Sequence, residues 1–203
     1  LFKGLPTLNI SMFVFGNGES RKHINIENID APKIGCNALH RDFQVNHLVC
    51  VDRRMVNEAI RSNNNKRCKI YTRRDWWSSY RLNQNVHQVP DLPYKGDQRP
   101  DDPFQWGSGP YAVLLGATLS TDIKMIGFDL HSKTTTVNNI YKDTDNYDQS
   151  SKRAVDPRYW IYQIAKVFEH FQENKFTLYV EEDWKLPQSW KRSNVILDNI
   201  SNL

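Results

Sequence analysis

Met12-Phe13-Val14-Phe15-Gly16-Asn17-Gly18-Glu19-Ser20 is the stretch on which the reading of this chain turns. Its four apolar residues, rich in β-formers and cut off by glycines and polar residues, read as a buried strand that ends in a tight turn. In an open α/β sheet such a turn faces the edge where anionic ligands bind. Gly16 and Gly18 would let a phosphate approach the main chain, and a helix beginning near Ser20 would direct free N–H groups at it. Gly-Asn-Gly also makes ordinary strand-exit turns, so the motif by itself leaves both readings open. Two familiar nucleotide motifs are excluded. Arg21 stands where the dinucleotide fingerprint needs its third glycine, and no Gly-Lys-Ser/Thr follows to make a P-loop.

Outward from this strand the pattern repeats. Pro32 to Leu39 reads as a second strand ending near Asn37, and His47 to Asp52 as a third. Met55, Val56, Ala59 and Ile60 then recur at helical spacing between Arg53 and Ser62. Asn63-Asn64-Asn65 would end that helix, and Lys69 to Thr72 begins a fourth strand. Ser108-Gly109-Pro110 reads as an N-cap with proline in the first turn of a helix that is apolar nearly all round, hence buried. A strand from Ile123 to Leu130 follows, with Asp129 and His131 at its exit. A helix from Asp156 to about Asn174, with Ile161, Ile164, Ala165, Phe168 and Phe171 on one face, leads into a strand from Phe176 to Val180. The β-α-β order predicts an α/β fold of Rossmann-like type, a doubly wound, mainly parallel sheet in a single domain over residues 1–203.

Three segments stand outside the pattern. Residues 73–107 hold Trp76, Trp77, Tyr80 and Trp106 among Pro90, Pro93, Pro100 and Pro103, too much proline for a long helix or central strand. This long loop reads either as an acceptor-binding lid or as a segment pinned to the core by its aromatics. Residues 131–155 form a second polar loop, carrying Tyr141 and Tyr147. From about 181 a tail with Trp184, Trp190, Val195, Leu197 and Ile200 is expected to pack on the body.

The formal net charge is +4. Arg21-Lys22, Arg41, Arg53-Arg54 and Arg73-Arg74 each follow a strand, so a parallel sheet would gather them at the edge where a phosphate-bearing ligand sits, unless they are ordinary solvated charge. No recognised nucleic-acid motif or continuous basic helix is present, which argues against a nucleic-acid partner. Cys36, Cys50 and Cys68 lack metal-type spacing and read as buried free thiols, favouring a cytoplasmic compartment. No run approaches the roughly 20 apolar residues of a membrane span, and no charged-then-apolar leader is visible.

Taken in order, Gly16-Asn17-Gly18-Glu19-Ser20, Gly35-Cys36-Asn37 with Phe43, Ser108-Gly109-Pro110-Tyr111-Ala112 and Ile126-Gly127-Phe128-Asp129-Leu130 are similar to the bacterial sialyltransferases that use CMP-sialic acid to modify lipooligosaccharide. The series also resembles the related MptE-like group, which includes a hydroxymethylpterin diphosphokinase and stand-alone phage-encoded members. The resemblance covers most of Met12 to Val180. It implies a metal-independent glycosyltransferase with no cofactor beyond a nucleotide-sugar donor, CMP-linked in the sialyltransferases, and a glycan acceptor. It would place Gly16, Asn17, Gly18 and Ser20 along the phosphate and ribose, Asn37 at the cytidine portion or donor, and Ser108 and Gly109 on the base side. Asp52 falls where the family often has Asn, and His131 where the sialyltransferases place a phosphate-contacting Tyr. Arg21, Arg53 and His131 would serve the phosphate.

One departure concerns catalysis. The family's general-base histidine precedes the last helix, and 150–156 contains none. His131, Asp148 or Asp156 would then take the acceptor proton, with His131 favoured because an imidazole is largely neutral at pH 7 and a stronger base than an ordinary Asp. The alternatives are a non-catalytic module, for example of a phage particle with virion partners, and a diphosphoryl transferase with Mg²⁺ held by Asp52 and Asp129.

Overall fold

The computed structural model describes residues 10–62, 67–132 and 134–203. Its strands are β1 (Met12–Phe15), β2 (Lys33–Cys36), β3 (His47–Val49), β4 (Lys69–Thr72), β5 (Val86–Gln88), β6 (Asp122–Ile126), β7 (Lys175–Val180) and β8 (Val195–Asn199). The α-helices are α1 (Arg53–Arg61), α2 (Arg74–Trp77), α3 (Ser108–Leu119) and α4 (Arg158–His170). All eight strands form one sheet in the order β5-β4-β3-β2-β1-β6-β7-β8, and every neighbouring pair is parallel. The chain lays down β1 to β5 in one direction, crosses back through α3, and continues from β6 on the other side of β1. The order therefore reverses between β1 and β6, the place where an open α/β sheet parts to form a ligand crevice.

The apolar runs form these strands because both sheet faces are covered. Val14, Ile34, Val49 and Met125 pack under α3 and α4, while Phe15, Leu48, Ile70 and Ile126 pack on the opposite face with Val56 and Ala59 of α1. The helix expected after Asp52 is present, and Ser62 closes it by donating its backbone N–H to the Glu58 and Ala59 carbonyls. Asn63, Asn64 and Asn65, read as its stop, lie outside the described residues.

Four local expectations are corrected. The loop 73–107 contains α2 and also the edge strand β5, which ends just before Pro90. Its aromatics act as pins: Trp106 is buried, and the indole N–H groups of Trp76, Trp77 and Trp106 donate to the carbonyls of Val51, Val86 and Pro100. The tail is more than a packed segment, since β8 extends the sheet beyond β7 and Trp190 is buried against Phe168. Ser108 is the first helical residue of α3 rather than its cap, which is Gly107. After β1 there is no α-helix but two three-residue 3-10 turns, Glu19–Arg21 and Ile26–Asn28.

The three cysteines are free and buried. Burial pushes the Cys36 thiol up to about 12, with Arg21 opposing it in part. No helix among the described residues is long and apolar enough to cross a membrane.

Candidate functional site

The exits of β1, β2, β3 and β6 meet the start of α3 around a cavity of about 330 Å³. Gly16, Asn17 and Gly18 form one wall, Asn37 and Asp52 a second, and Gly107, Ser108 and Gly109 a third. Phe128, Asp129 and Asn138 form a fourth, shared with a larger cavity of about 530 Å³ that opens toward β7. His131, Lys142, Trp184 and Lys185 line the larger one. The two cavities thus flank the switch point as adjoining halves of one crevice.

The glycine turn is held by its own chain. Gly16 N–H donates to Ile126 O (2.8 Å) and Gly18 N–H to Gly127 O (2.9 Å). Glu19 N–H donates to Asn138 Oδ1 (2.8 Å) and Ser20 N–H to Asp129 Oδ2 (2.9 Å). Ser20 Oγ also donates to Asp129 Oδ1. The N–H groups expected to point at a phosphate are therefore already satisfied, and a carboxylate occupies the start of the short turn. The glycines are needed for another reason. A Cβ on Gly16 would overlap Gly127 O and stand 3.0 Å from its carbonyl carbon, and one on Gly18 would stand 2.5 and 2.6 Å from the Asp129 oxygens. Neither glycine has a positive φ; both let the β1 exit interlock with the β6 exit.

Asn17 ties the crevice wall together. Its Nδ2 donates to Cys36 O (3.1 Å) and Tyr147 Oη (3.3 Å), while its Oδ1 accepts from Arg21. Arg21 is buried, donating Nε–H to Gly16 O (2.6 Å) and contacting Tyr141, so it lines neither cavity. Arg53 lines neither cavity as well, its guanidinium lying 5.8 Å from the centre of the Trp76 ring. Arg41, Arg54 and Arg73, also expected at a phosphate, are engaged by Glu58, Asp52 and Asp75, and Arg74 lines neither cavity. Among the described residues no Lys or Arg lines the smaller cavity.

Neutral donors take their place. Asn37 adopts φ 49, a left-handed conformation that Asn tolerates. Ser108 Oγ fixes its amide by donating to Asn37 Oδ1 (2.8 Å) while accepting from Val51 N–H (3.1 Å). Asn37 Nδ2 is left without a partner among the described residues. The N–H groups of Ser108 and Gly109 have no acceptor within their helix, and the positive end of the α3 dipole lies at the cavity. Asp52 stands on the rim as the N-cap of α1, accepting from Arg54 N–H (2.8 Å). Burial would raise its pKa, but hydrogen bonds from the Arg54 side chain and backbone outweigh that and hold it below the ordinary value.

Of the proton-transfer candidates, only His131 lines either cavity. Its N–H donates to Asp129 O (2.7 Å) across Leu130, itself at φ 63. Asp148 pairs with Lys152 on the surface. Asp156 pairs with Arg158, whose backbone N–H and side chain lower its pKa and so weaken it as a base. Among the described residues no group of three or more His, Cys, Asp or Glu side chains converges. Asp52 and Asp129, read as a Mg²⁺ pair, are committed to Arg54 and Ser20.

Sequence reasoning missed Phe128, Asn138, Asn139 and Trp160 as wall residues. They come from the β6 exit, the loop 131–155 and α4; Phe128 lies within the Ile126 to Leu130 motif, which assigns it no role, and no local motif marks the other three.

A parallel α/β sheet with a crevice at its switch point is the architecture of nucleotide-binding proteins. No family model and no curated protein matches the chain. Among solved structures it is similar to the sialyltransferase CstII from Campylobacter jejuni in complex with a substrate analogue, cytidine-5'-monophosphate. The TM-score is 0.54 at 14% identity, covering 93% of this chain and 84% of that one. The likeness establishes a sialyltransferase-like fold.

Proposed function

We propose that this protein binds a CMP-linked sugar across the two cavities and transfers the glycosyl group to a glycan hydroxyl. The observation that carries the reading is the smaller cavity at the switch point. It presents Asn37 Nδ2 and the free N–H groups of Ser108 and Gly109 to an oxygen-rich ligand, on a fold shared with a CMP-binding sialyltransferase. In this reading the glycosyl group, rather than the base that the resemblance would put there, meets Ser108 and Gly109 in the smaller cavity. The phosphate lies toward the larger one, whose wall carries His131 and Lys185, together with Lys142 in its ion pair with Glu19. As the bond between the sugar and the phosphate oxygen breaks, the acceptor oxygen bonds to the sugar carbon, its proton passes to His131, and CMP leaves with the bonding electron pair.

A thermal-shift series with CMP, UDP, GDP and ATP, each with and without Mg²⁺, tests binding. A ligand present at about 100 times its dissociation constant stabilises the fold by roughly 2.7 kcal/mol. CMP is expected to raise the melting temperature without Mg²⁺, and no shift with any nucleotide would end this reading. Release of CMP from CMP-sialic acid, measured for the native chain and for His131→Ala, tests transfer chemistry: loss of a general base is expected to slow release by about 100-fold or more while binding persists.

A second reading, a binding module without transfer, is favoured by the pairing of Asp156 with Arg158 ahead of α4, where no histidine stands. CMP binding without release by either protein would select it.

A further inference from the structure

Six tryptophans occur in the chain. Five use the indole N–H in the same way, as a donor to a backbone carbonyl: Trp76 to Val51, Trp77 to Val86, Trp106 to Pro100, Trp184 to Asp129 and Trp190 to Ile161. Trp160 is the exception. Its indole N–H has no partner among the described residues, and the side chain lies in the wall of the smaller cavity. It belongs to the first turn of α4, where Ile164 and Ala165 are buried in the core while Trp160 remains 37% exposed. Its Nε1 lies 3.1 Å from where a Gly107 side chain would begin, so the absence of a side chain there lets the indole edge reach the start of α3.

We propose that Trp160 is a ligand-contacting specificity residue, with its ring packed on the glycosyl group of the donor and its N–H donating to an oxygen of that group. The inference rests on the nucleotide-sugar reading above. Two features select the glycosyl group over the nucleobase. The corner formed by Trp160, Ser108 and Gly109 presents mainly donors, because Ser108 Oγ donates its proton to Asn37 and already accepts from Val51. A cytosine edge sets its amino donor beside its acceptors and so calls for an acceptor next to the donors, whereas a sugar carboxylate only accepts. Among the described residues no Lys or Arg lines the smaller cavity, so recognition of such a group falls to N–H donors. An indole offers both an apolar face for the C–H side of a sugar ring and a polar edge.

Trp160→Phe keeps an aromatic face and removes the N–H. Titration calorimetry of the native protein and of this variant with CMP and with CMP-sialic acid is the test, with circular dichroism and melting temperature as folding controls. CMP is expected to bind both proteins within about 2-fold. CMP-sialic acid is expected to bind the variant about 10-fold or more weakly, the usual loss for a hydrogen bond to a charged group. Trp160→His, which keeps a ring N–H donor, is expected to recover part of that loss. Equal weakening of both ligands would move Trp160 to the nucleotide and overturn the proposal, as would unchanged CMP-sialic acid affinity. Failure of the native protein to bind either ligand would overturn the nucleotide-sugar reading and this inference with it.

Discussion

Gly16→Ala is the sharpest probe of how the crevice is built, since a single methyl group would be placed against main chain with no rotamer to relieve it. The added carbon would overlap the Gly127 carbonyl oxygen and stand 3.0 Å from its carbon. The β1 and β6 exits would have to separate, straining the bond from Gly18 N–H to Gly127 O (2.9 Å) and that from Arg21 Nε to Gly16 O (2.6 Å). Overpacking costs about 1–3 kcal/mol, and each weakened hydrogen bond about 0.5–1.5 kcal/mol. The sum is about 2–6 kcal/mol, a large share of the roughly 5–15 kcal/mol that holds a native domain together. At about 2–4 °C per kcal/mol for a chain of this length, the melting temperature should fall by roughly 4–24 °C. Gly109→Ala is the matched control. Its methyl would meet only Phe128 Cε1, at an ordinary 3.5 Å, so its melting temperature should stay within about 2 °C of the native value. Scanning calorimetry of the three proteins decides the matter. A Gly16→Ala protein as stable as the native one would refute the interlock.

Two further outcomes follow from the same contacts. Asp129→Ala should lower stability by about 1–3 kcal/mol in urea melts, because Ser20 N–H and Oγ lose their acceptor; an unchanged midpoint would show that the carboxylate does not hold the turn. His47 has its pKa lowered to about 4 by burial, with Lys69 and His87 adding to the effect, from an ordinary 6.5. The unfolded chain therefore takes up this proton first. Its contribution is fully present above about pH 6.5 and falls as the pH drops toward 4, so stability should decline over that window and His47→Gln should flatten the decline.

Much of this architecture was legible in the sequence, and the parts that were not share a cause. β1, β2, β3, β4, β6 and β7 are bounded apolar runs because helices cover both faces of the sheet there, and α1 and α4 show the stripe that such covering imposes. β5 and β8 lie at the edges, where that constraint lapses. β5 is three residues long within a proline-rich stretch, and Ile196 and Leu197 of β8 are both 42% exposed, leaving no alternation to read. Asn37 was legible as a crevice residue from its place at a strand exit, whereas Ser108 and Gly109 were placed there only by the family resemblance, their local pattern reading as a helix start. The misreading at Ser20 arose because the acceptor of its N–H, Asp129, lies 109 positions away. Trp160 was invisible for the same reason: only the packing of α4 against α3 brings it to the wall.

The strand order also bears on how the polypeptide reaches this state. β1 is central, yet its two neighbours arrive at very different times: β2 begins at Lys33, while β6 begins at Asp122. During synthesis one side of the most apolar strand stays unpaired while more than half of the chain emerges, a bare template for a second nascent molecule. Closing so distant a contact also slows folding, since loop entropy must be overcome before the pairing forms. Contacts such as Asn17 with Tyr147 and Glu19 with Lys142 span still longer stretches, so the crevice walls carry a loop-closure cost at least as large as that of the β1–β6 pairing beneath them.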